Sequence, residues 1–246
     1  MSAPRVLVPR PAGSADALVQ RLRELGLAVD HQPFLALVPV HDDAVRQAAA
    51  DLRAGCFSWL VLTSATALPA LELDTTVVPR TTRVAVVGDT TAAAARERGI
   101  EPCLVAAGSG QALVEQMPPA RAGDRVLWPA SSAAAPTVPD GLRGLGYEVR
   151  PVTAYRPTPV DVPAAVLRDL AQGAYAVVVL TSAMIARLVA DATPHPSTRV
   201  VSIGDPTSQA AHEVGLRVDV QADAPTIDAL AAAVVAALPT LVEETP

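Results

Sequence analysis

Residues 83–99 read RVAVVGDTTAAAARERG, and residues 199–215 read RVVSIGDPTSQAAHEVG. Nine of the 17 positions are identical: Arg83-Val84, Gly88-Asp89, Thr91, Ala94-Ala95, Glu97 and Gly99 recur as Arg199-Val200, Gly204-Asp205, Thr207, Ala210-Ala211, Glu213 and Gly215. Two further blocks recur in the same order. Leu52, Gly55 and Leu62-Thr63-Ser64-Ala65 match Leu170, Gly173 and Leu180-Thr181-Ser182-Ala183. Arg5-Val6-Leu7, Pro9, Leu22, Leu25, Gly26 and Val29 match Arg125-Val126-Leu127, Pro129, Leu142, Leu145, Gly146 and Val149. The spacings are 116, 118 and 120 residues, small slips of the kind that deletions in loops leave. The chain is an internal duplication.

Each block reads as strand, turn, helix. Arg5–Val8, Trp59–Leu62, Val84–Val87, Arg125–Trp128, Ala176–Leu180 and Val200–Ile203 are short apolar runs bounded by Thr, Ser, Gly or Pro. Continuous apolar runs of that length suit strands buried on both faces of a parallel sheet. A helical stretch follows each turn. Asp16–Leu25 carries Leu18, Leu22 and Leu25 on one face, with Ser14 expected as N-cap and Gly26 as the stop. Thr90–Arg98 is expected to end at Gly99, and Pro206–Val214 at Gly215, in the same manner. Alternating strands and helices predict an α/β chain of two doubly wound parallel-sheet lobes, one per copy, with a cleft between them.

Composition narrows the function. The 246 residues are enough for one large or two small domains, and half of them are hydrophobic against 18% charged, which excludes a disordered chain. Aromatics are only 3%, so the cores must be aliphatic. All 19 basic residues are Arg. A chain without Lys forms no Schiff base and supplies no P-loop lysine. The net charge of −6 and the absence of a basic cluster argue against nucleic acid as partner. Cys56 and Cys103 stand alone and read as buried reduced thiols, and His31, His41, His195 and His212 are scattered and read as surface residues, so no metal site is expected. The start carries no apolar leader, and Ala229–Leu238 is too short to span a bilayer, which together predict a cytoplasmic protein without membrane contact.

Ligands of open α/β sheets sit outside the carboxyl ends of the strands, where helix N-termini point. The duplication places Thr63-Ser64 and Thr181-Ser182 there, and also Gly88-Asp89-Thr90-Thr91 and Gly204-Asp205-Pro206-Thr207. Free amides and hydroxyls in such turns seat carboxylates, or else merely cap their helices. Four related turns favour a shared anion-binding cleft. Gly108-Ser109-Gly110 is no dinucleotide fingerprint and reads as a loop opening a Gln111–Met117 helix; no GxSxG elbow is present. The halves disagree at one telling place. Tyr155 and Arg156 stand where the other copy has Leu35 and Ala36. Tyr155 either packs its ring with the hydroxyl in water or offers a protonated phenol to a ligand.

Taken in order, these residues resemble the uroporphyrinogen-III synthase family. Arg5-Val6-Leu7-Val8-Pro9-Arg10-Pro11 resembles the family's RVLVTRP start, Leu62-Thr63-Ser64-Ala65 and Leu180-Thr181-Ser182-Ala183 its two FTS turns, and the Gly88 and Gly204 turns its two VGxxTA turns. Val152-Thr153-Ala154-Tyr155-Arg156 resembles V-x-x-Y-[RQ], and Pro225–Leu230 the start of the closing helix. The resemblance implies a discontinuous first lobe, 1–36 plus 158–246, a second lobe, 42–150, and linker strands at 37–41 and 151–157 forming a two-stranded ladder. The repeat alone would divide the chain near residue 121.

The implied activity is cyclisation of hydroxymethylbilane to uroporphyrinogen III with inversion of ring D and loss of water, without cofactor or metal. Tyr155 is the implied donor to the departing hydroxyl. Arg10, Thr63, Ser64, Gly88, Thr91, Arg156, Thr181, Ser182, Gly204 and Thr207 are the implied substrate contacts. A monomer is expected, with transient contact to hydroxymethylbilane synthase. An eight-carboxylate substrate and a net charge of −6 require local amide dipoles to outweigh the global field. The chain departs from the pattern at Thr66-Ala67-Leu68, at Trp128-Pro129-Ala130-Ser131, which lacks the usual Arg-Gly, and at Pro206 in place of Thr. The rival readings are a non-catalytic tetrapyrrole-binding or regulatory module, which should lose the tyrosine or add a DNA-binding domain, and a two-lobed small-ligand sensor. This chain keeps Tyr155 and closes on an acidic tail.

Overall fold

A computed structural model describes residues 3–238; the acidic tail lies outside them. In chain order the strands are β1 (Arg5–Val8), β2 (Ala28–His31), β3 (Leu35–Pro39), β4 (Trp59–Leu62), β5 (Arg83–Val87), β6 (Leu104–Ala106), β7 (Arg125–Ser131), β8 (Glu148–Pro159), β9 (Val177–Leu180), β10 (Arg199–Ser202) and β11 (Val220–Gln221). The helices are α1 (Asp16–Glu24), α2 (Asp43–Arg53), α3 (Ala67–Ala70), α4 (Asp89–Arg96), α5 (Gly110–Gln116), α6 (Thr137–Gly144), α7 (Ala164–Ala171), α8 (Ala183–Asp191), α9 (Asp205–Glu213) and α10 (Ile227–Ala237). The chain divides into two units, one running up to Ala36 and resuming at Thr158, the other Leu37–Pro157.

The first unit carries a sheet in the order β11-β10-β9-β1-β2, every pair parallel. All four residues of β9, Val-Val-Val-Leu, are buried, because helices cover both faces. Val6, Val8, Val177, Val179 and Val201 pack with Leu18, Leu22, Leu230 and Val234 of α1 and α10. The second sheet runs β3-β8-β7-β4-β5-β6, with β8 through β6 parallel. Alternation sorts its side chains cleanly. Leu60, Leu62, Val84, Val86 and Leu127 face one core with α2, α3 and α4. Trp59, Val61, Ala85, Val126 and Trp128 face another with α5 and α6.

The duplication explains the topology. Counted by repeat, β7, β8, β4, β5 and β6 correspond to β1, β2, β9, β10 and β11, so both sheets share one strand order and the second is a circular permutation of the first. The edge strand β3 is the addition, and the segments expected as a ladder fall in β3 and β8, which are neighbours in this sheet. The copies even share a side-chain device at the amino ends of their strands. Arg5 lies 4.5 Å over the Tyr175 ring and Arg125 5.2 Å over that of Phe57, the repeat-related pair.

Two expectations fail. Ser14 does not cap α1; its Oγ donates to the Pro11 carbonyl at 2.9 Å, closing the preceding turn, and the cap position falls to Ala15. Both cysteines are exposed, not buried, because each sits in the loop entering a strand. Gly26 and Gly99, with φ of 81° and 75°, do end their helices in the left-handed region that side chains avoid.

Candidate active site

In a sheet of this order the crevice opens outside the carboxyl ends of the two strands where the winding reverses. These are β1 and β9 in the first unit, and β7 and β4 in the second. Pro9-Arg10 follows β1 and Thr181-Ser182 follows β9; Thr63-Ser64 follows β4, with Ser131-Ser132 at the end of β7. Gly204 and Gly88 open the adjacent helices α9 and α4. Each unit therefore carries its own set of polar turns at this end of its sheet.

Tyr155 belongs to the second unit's set, and a β-bulge puts it there. Ala130 pairs with Thr153 but Ser131 pairs with Tyr155, leaving Ala154 as an extra residue in β8. Strict alternation would send Tyr155 to the face opposite Val152 and Ala154. Instead all three lie in the same core, and Tyr155 is 7% exposed. The ring is packed rather than hanging in solvent. Burial raises the phenol's pKa above the ordinary 10.0, and a hydrogen bond with the Ser64 side chain acts the other way with smaller effect. Two predicted residues, far apart in sequence, are thus brought together around a phenol that stays protonated at neutral pH. Arg156, the next residue, is exposed.

In the first unit, Arg10 is half-buried, and its guanidinium has no ion-pair or hydrogen-bond partner among the described residues. Burial pulls its pKa below the usual arginine value, though not far enough to discharge it. The Arg10 carbonyl accepts from His31 Nε2 at 3.0 Å, which fixes the proton on that nitrogen. The Ser182 hydroxyl accepts from the Ile185 amide at 3.3 Å and so caps α8; Ser64 instead donates to Thr66 Oγ1 at 3.2 Å within its turn. Thr181 and Thr63 are partly exposed.

The repeat-related threonines are placed differently from these. Thr91 and Thr207 are 5% and 4% exposed, packed inside their units. What their turns present is backbone. At α4 the Asp89, Thr90 and Thr91 amides have no backbone acceptor among the described residues. At α9, Pro206 has no N–H and the Thr207 amide is taken by the Gly204 carbonyl at 3.0 Å, leaving Asp205. The Ser202, Ser208, Gln221 and Asp205 side chains form a chain of 2.6 Å hydrogen bonds beneath that turn. His31, read from the sequence as a surface residue, is half-buried against the Arg10 carbonyl. Among the described residues no three His, Cys, Asp or Glu are grouped to hold a metal, and no helix is long and apolar enough to cross a membrane.

Fold and site together define a duplicated parallel α/β protein in which each unit carries polar turns at the carboxyl ends of its strands and the second carries a buried phenol beside one of them. Residues 16–232 match the model of a family described as Uroporphyrinogen-III synthase HemD, and the chain belongs to that family. It is 29% identical over 256 residues to a uroporphyrinogen-III synthase of Synechococcus elongatus, covering 93% of each chain. Among solved structures it resembles a uroporphyrinogen-III synthetase of Helicobacter pylori (TM-score 0.62, 12% identity, 95% of this chain and 99% of that one). It also resembles a uroporphyrinogen III synthase variant of Thermus thermophilus (TM-score 0.59, 19% identity, 96% and 98%). At those identities the structural likeness speaks for the fold.

Proposed function

We infer that this chain is an enzyme that cyclises hydroxymethylbilane to uroporphyrinogen III, inverting ring D and releasing water. Membership of the family over most of the chain supports the activity; the buried phenol of Tyr155 beside Ser64 carries the mechanism. Departure of the substrate hydroxyl needs a proton, and Tyr155 supplies it, so that the hydroxyl leaves as water, the substrate becomes an azafulvene cation and the phenol a phenolate. The substituted α-carbon of ring D attacks that cation to give a spiro-pyrrolenine, which fragments and recloses with the ring reversed. The proton lost when the final pyrrole regains aromaticity restores the phenol.

Unassisted closure gives the type I isomer, so most of the catalytic task is to hold a flexible chain in the less accessible geometry. Backbone and hydroxyl donors suit that task because they are fixed before the substrate arrives. The Gly88 turn, with its amides through Thr91, and the Thr63-Ser64, Thr181-Ser182 and Gly204–Thr207 turns are the proposed carboxylate seats. Arg10 is the proposed cationic anchor: a substrate carboxylate would give its unpaired guanidinium the partner it lacks. Arg156 is a peripheral contact at most, because it is exposed. The reading extends to a cytoplasmic monomer that receives its unstable substrate from hydroxymethylbilane synthase by transient contact. The test is to generate hydroxymethylbilane in situ, add the protein, oxidise the products and resolve the isomers. Predominant type III supports the reading. Type I alone, at the rate without protein and with the chain shown to be folded, overturns it in favour of a non-catalytic tetrapyrrole-binding module.

A further inference from the structure

In the first unit β1 ends at Val8, which pairs with His31, the last residue of the edge strand β2. The chain then turns through Pro9-Arg10-Pro11. Each proline fixes its own φ and keeps the residue before it out of the helical region. The main freedom left to Arg10 is the tilt of the peptide plane it shares with Pro11. Every carbonyl of this turn is tied. Pro9 accepts from the Phe34 amide at 3.2 Å, and Pro11 from the Ser14 amide at 3.2 Å and the Ser14 hydroxyl at 2.9 Å. The Arg10 carbonyl accepts from His31 Nε2 at 3.0 Å, and among these bonds it alone is supplied by a side chain of another strand. That bond fixes the remaining tilt, and with it the direction in which the Arg10 side chain starts out. An exposed arginine without a partner keeps its water; Arg10 is half-buried, has given up part of that water, and has no ion pair or hydrogen bond to its guanidinium among the described residues. It stands at the carboxyl end of β1, beside β9, where the winding of the sheet reverses.

The copies differ here in two residues at once. Ala130 stands at the position of Arg10 and Pro151 at that of His31, while Ala130 keeps its place in the ladder opposite Thr153. The half without the cation holds its backbone by strand pairing; the half with the cation leaves the ladder early and holds it with an imidazole. We propose that His31 is a positioning residue for substrate binding, tethering the Arg10 peptide so that the half-buried guanidinium is fixed before a substrate carboxylate arrives. This role presupposes the synthase reading above, in which Arg10 is the cationic anchor. A cation held in place beforehand loses less freedom on binding, so the tether contributes to affinity. His31 touches no reacting atom, and the phenol of Tyr155 belongs to the other unit, so the chemical step is left alone.

The test is a double-mutant cycle read in KM and kcat for hydroxymethylbilane. His31→Phe keeps a ring and removes the donor; His31→Ala takes its place if that variant does not fold. One hydrogen bond's worth of positioning should raise KM about three- to tenfold, with kcat within about twofold. His31→Gln, whose amide nitrogen can still donate to the Arg10 carbonyl, should restore most of the wild-type KM. In an Arg10→Gln background the same His31 substitution should change KM by less than about twofold, since the group it positions is gone. A His31 variant with the wild-type KM overturns the proposal. So does an effect that persists at full size without Arg10, which would make His31 a direct contact or a purely structural residue. A wild-type chain that forms type III isomer while Arg10→Gln keeps its KM removes the anchor, and the tether with it, and leaves the synthase standing. A folded wild-type chain that gives only type I overturns the function on which both rest.

Discussion

Replacing Tyr155 by Phe separates the two roles a buried tyrosine can have. The ring is 7% exposed and packs in an aliphatic core, so Phe fills the same space without a cavity. What is lost is the hydroxyl and its hydrogen bond with Ser64. One such bond contributes about 0.5–1.5 kcal/mol to folding, which lowers Tm by a few degrees. General acid catalysis, in contrast, contributes about 10²–10⁴ in rate, or roughly 2.7–5.4 kcal/mol of barrier. The two magnitudes do not overlap. The expected result is a kcat reduced by at least about a hundredfold, little change in KM, and a fold intact at assay temperature. Since hydroxymethylbilane closes spontaneously, the slowed enzyme also loses the race to uncatalysed cyclisation, and the isomer ratio moves from III toward I. Initial rates and isomer ratios across a range of enzyme concentrations read both effects. A loss of less than about fivefold with type III still dominant would refute proton donation and leave Tyr155 a positioning residue.

Three further outcomes follow from the geometry. Arg10→Gln removes a half-buried cation with no partner among the described residues, so KM should rise about tenfold or more while thermal stability holds or improves; an unchanged KM removes Arg10 from the site. Gly141→Ala in α6 would add up to about 1 kcal/mol of helix propensity, but its Cβ would meet Val114 Cγ1 at 2.6 Å and Cγ2 at 2.9 Å. Overpacking of that kind costs about 1–3 kcal/mol, so denaturant titration should show net destabilisation, and a stabilised variant would contradict it. All three tyrosines, Tyr147, Tyr155 and Tyr175, are held above the ordinary 10.0, chiefly by burial. The folded state then binds protons more tightly than the unfolded one. Their contribution to stability is complete below pH 10 and falls as pH rises beyond it. Tyrosinate absorbance should appear together with unfolding; its appearance below pH 10 in folded protein would show the phenols to be solvated.

Much of the fold was legible because the duplication says the same thing twice. Apolar quartets such as Val177–Leu180 and Trp59–Leu62 suit strands covered on both faces, and the glycines that end α1 and α4 need a backbone conformation few other residues adopt. Element ends slipped by a residue or two, and Ser14 was read as a cap where a turn carbonyl won its hydroxyl. The cysteines were misread because their composition-wide habit of burial says nothing about the loops they occupy. Within the site, the turns were legible as polar residues after strands. Their division into side chains that face out, such as Thr63, and side chains that pack inward, such as Thr91, was not, since both read as Thr after an apolar run.

By itself the sequence determined the duplication, the parallel α/β class, the position of the polar turns and the singularity of Tyr155 and Arg156, because each is a matter of local pattern or of one copy set against the other. Only the tertiary structure decided which side chains meet. The single extra residue in β8 turns Tyr155 into the core and toward Ser64, and nothing in Val152–Arg156 announces it. A bulge is a property of two strands in register, and register is set by the packing of the whole sheet. Among the described residues, the same packing buries the Trp128 nitrogen without a partner and leaves Arg10 half-covered beside no acid.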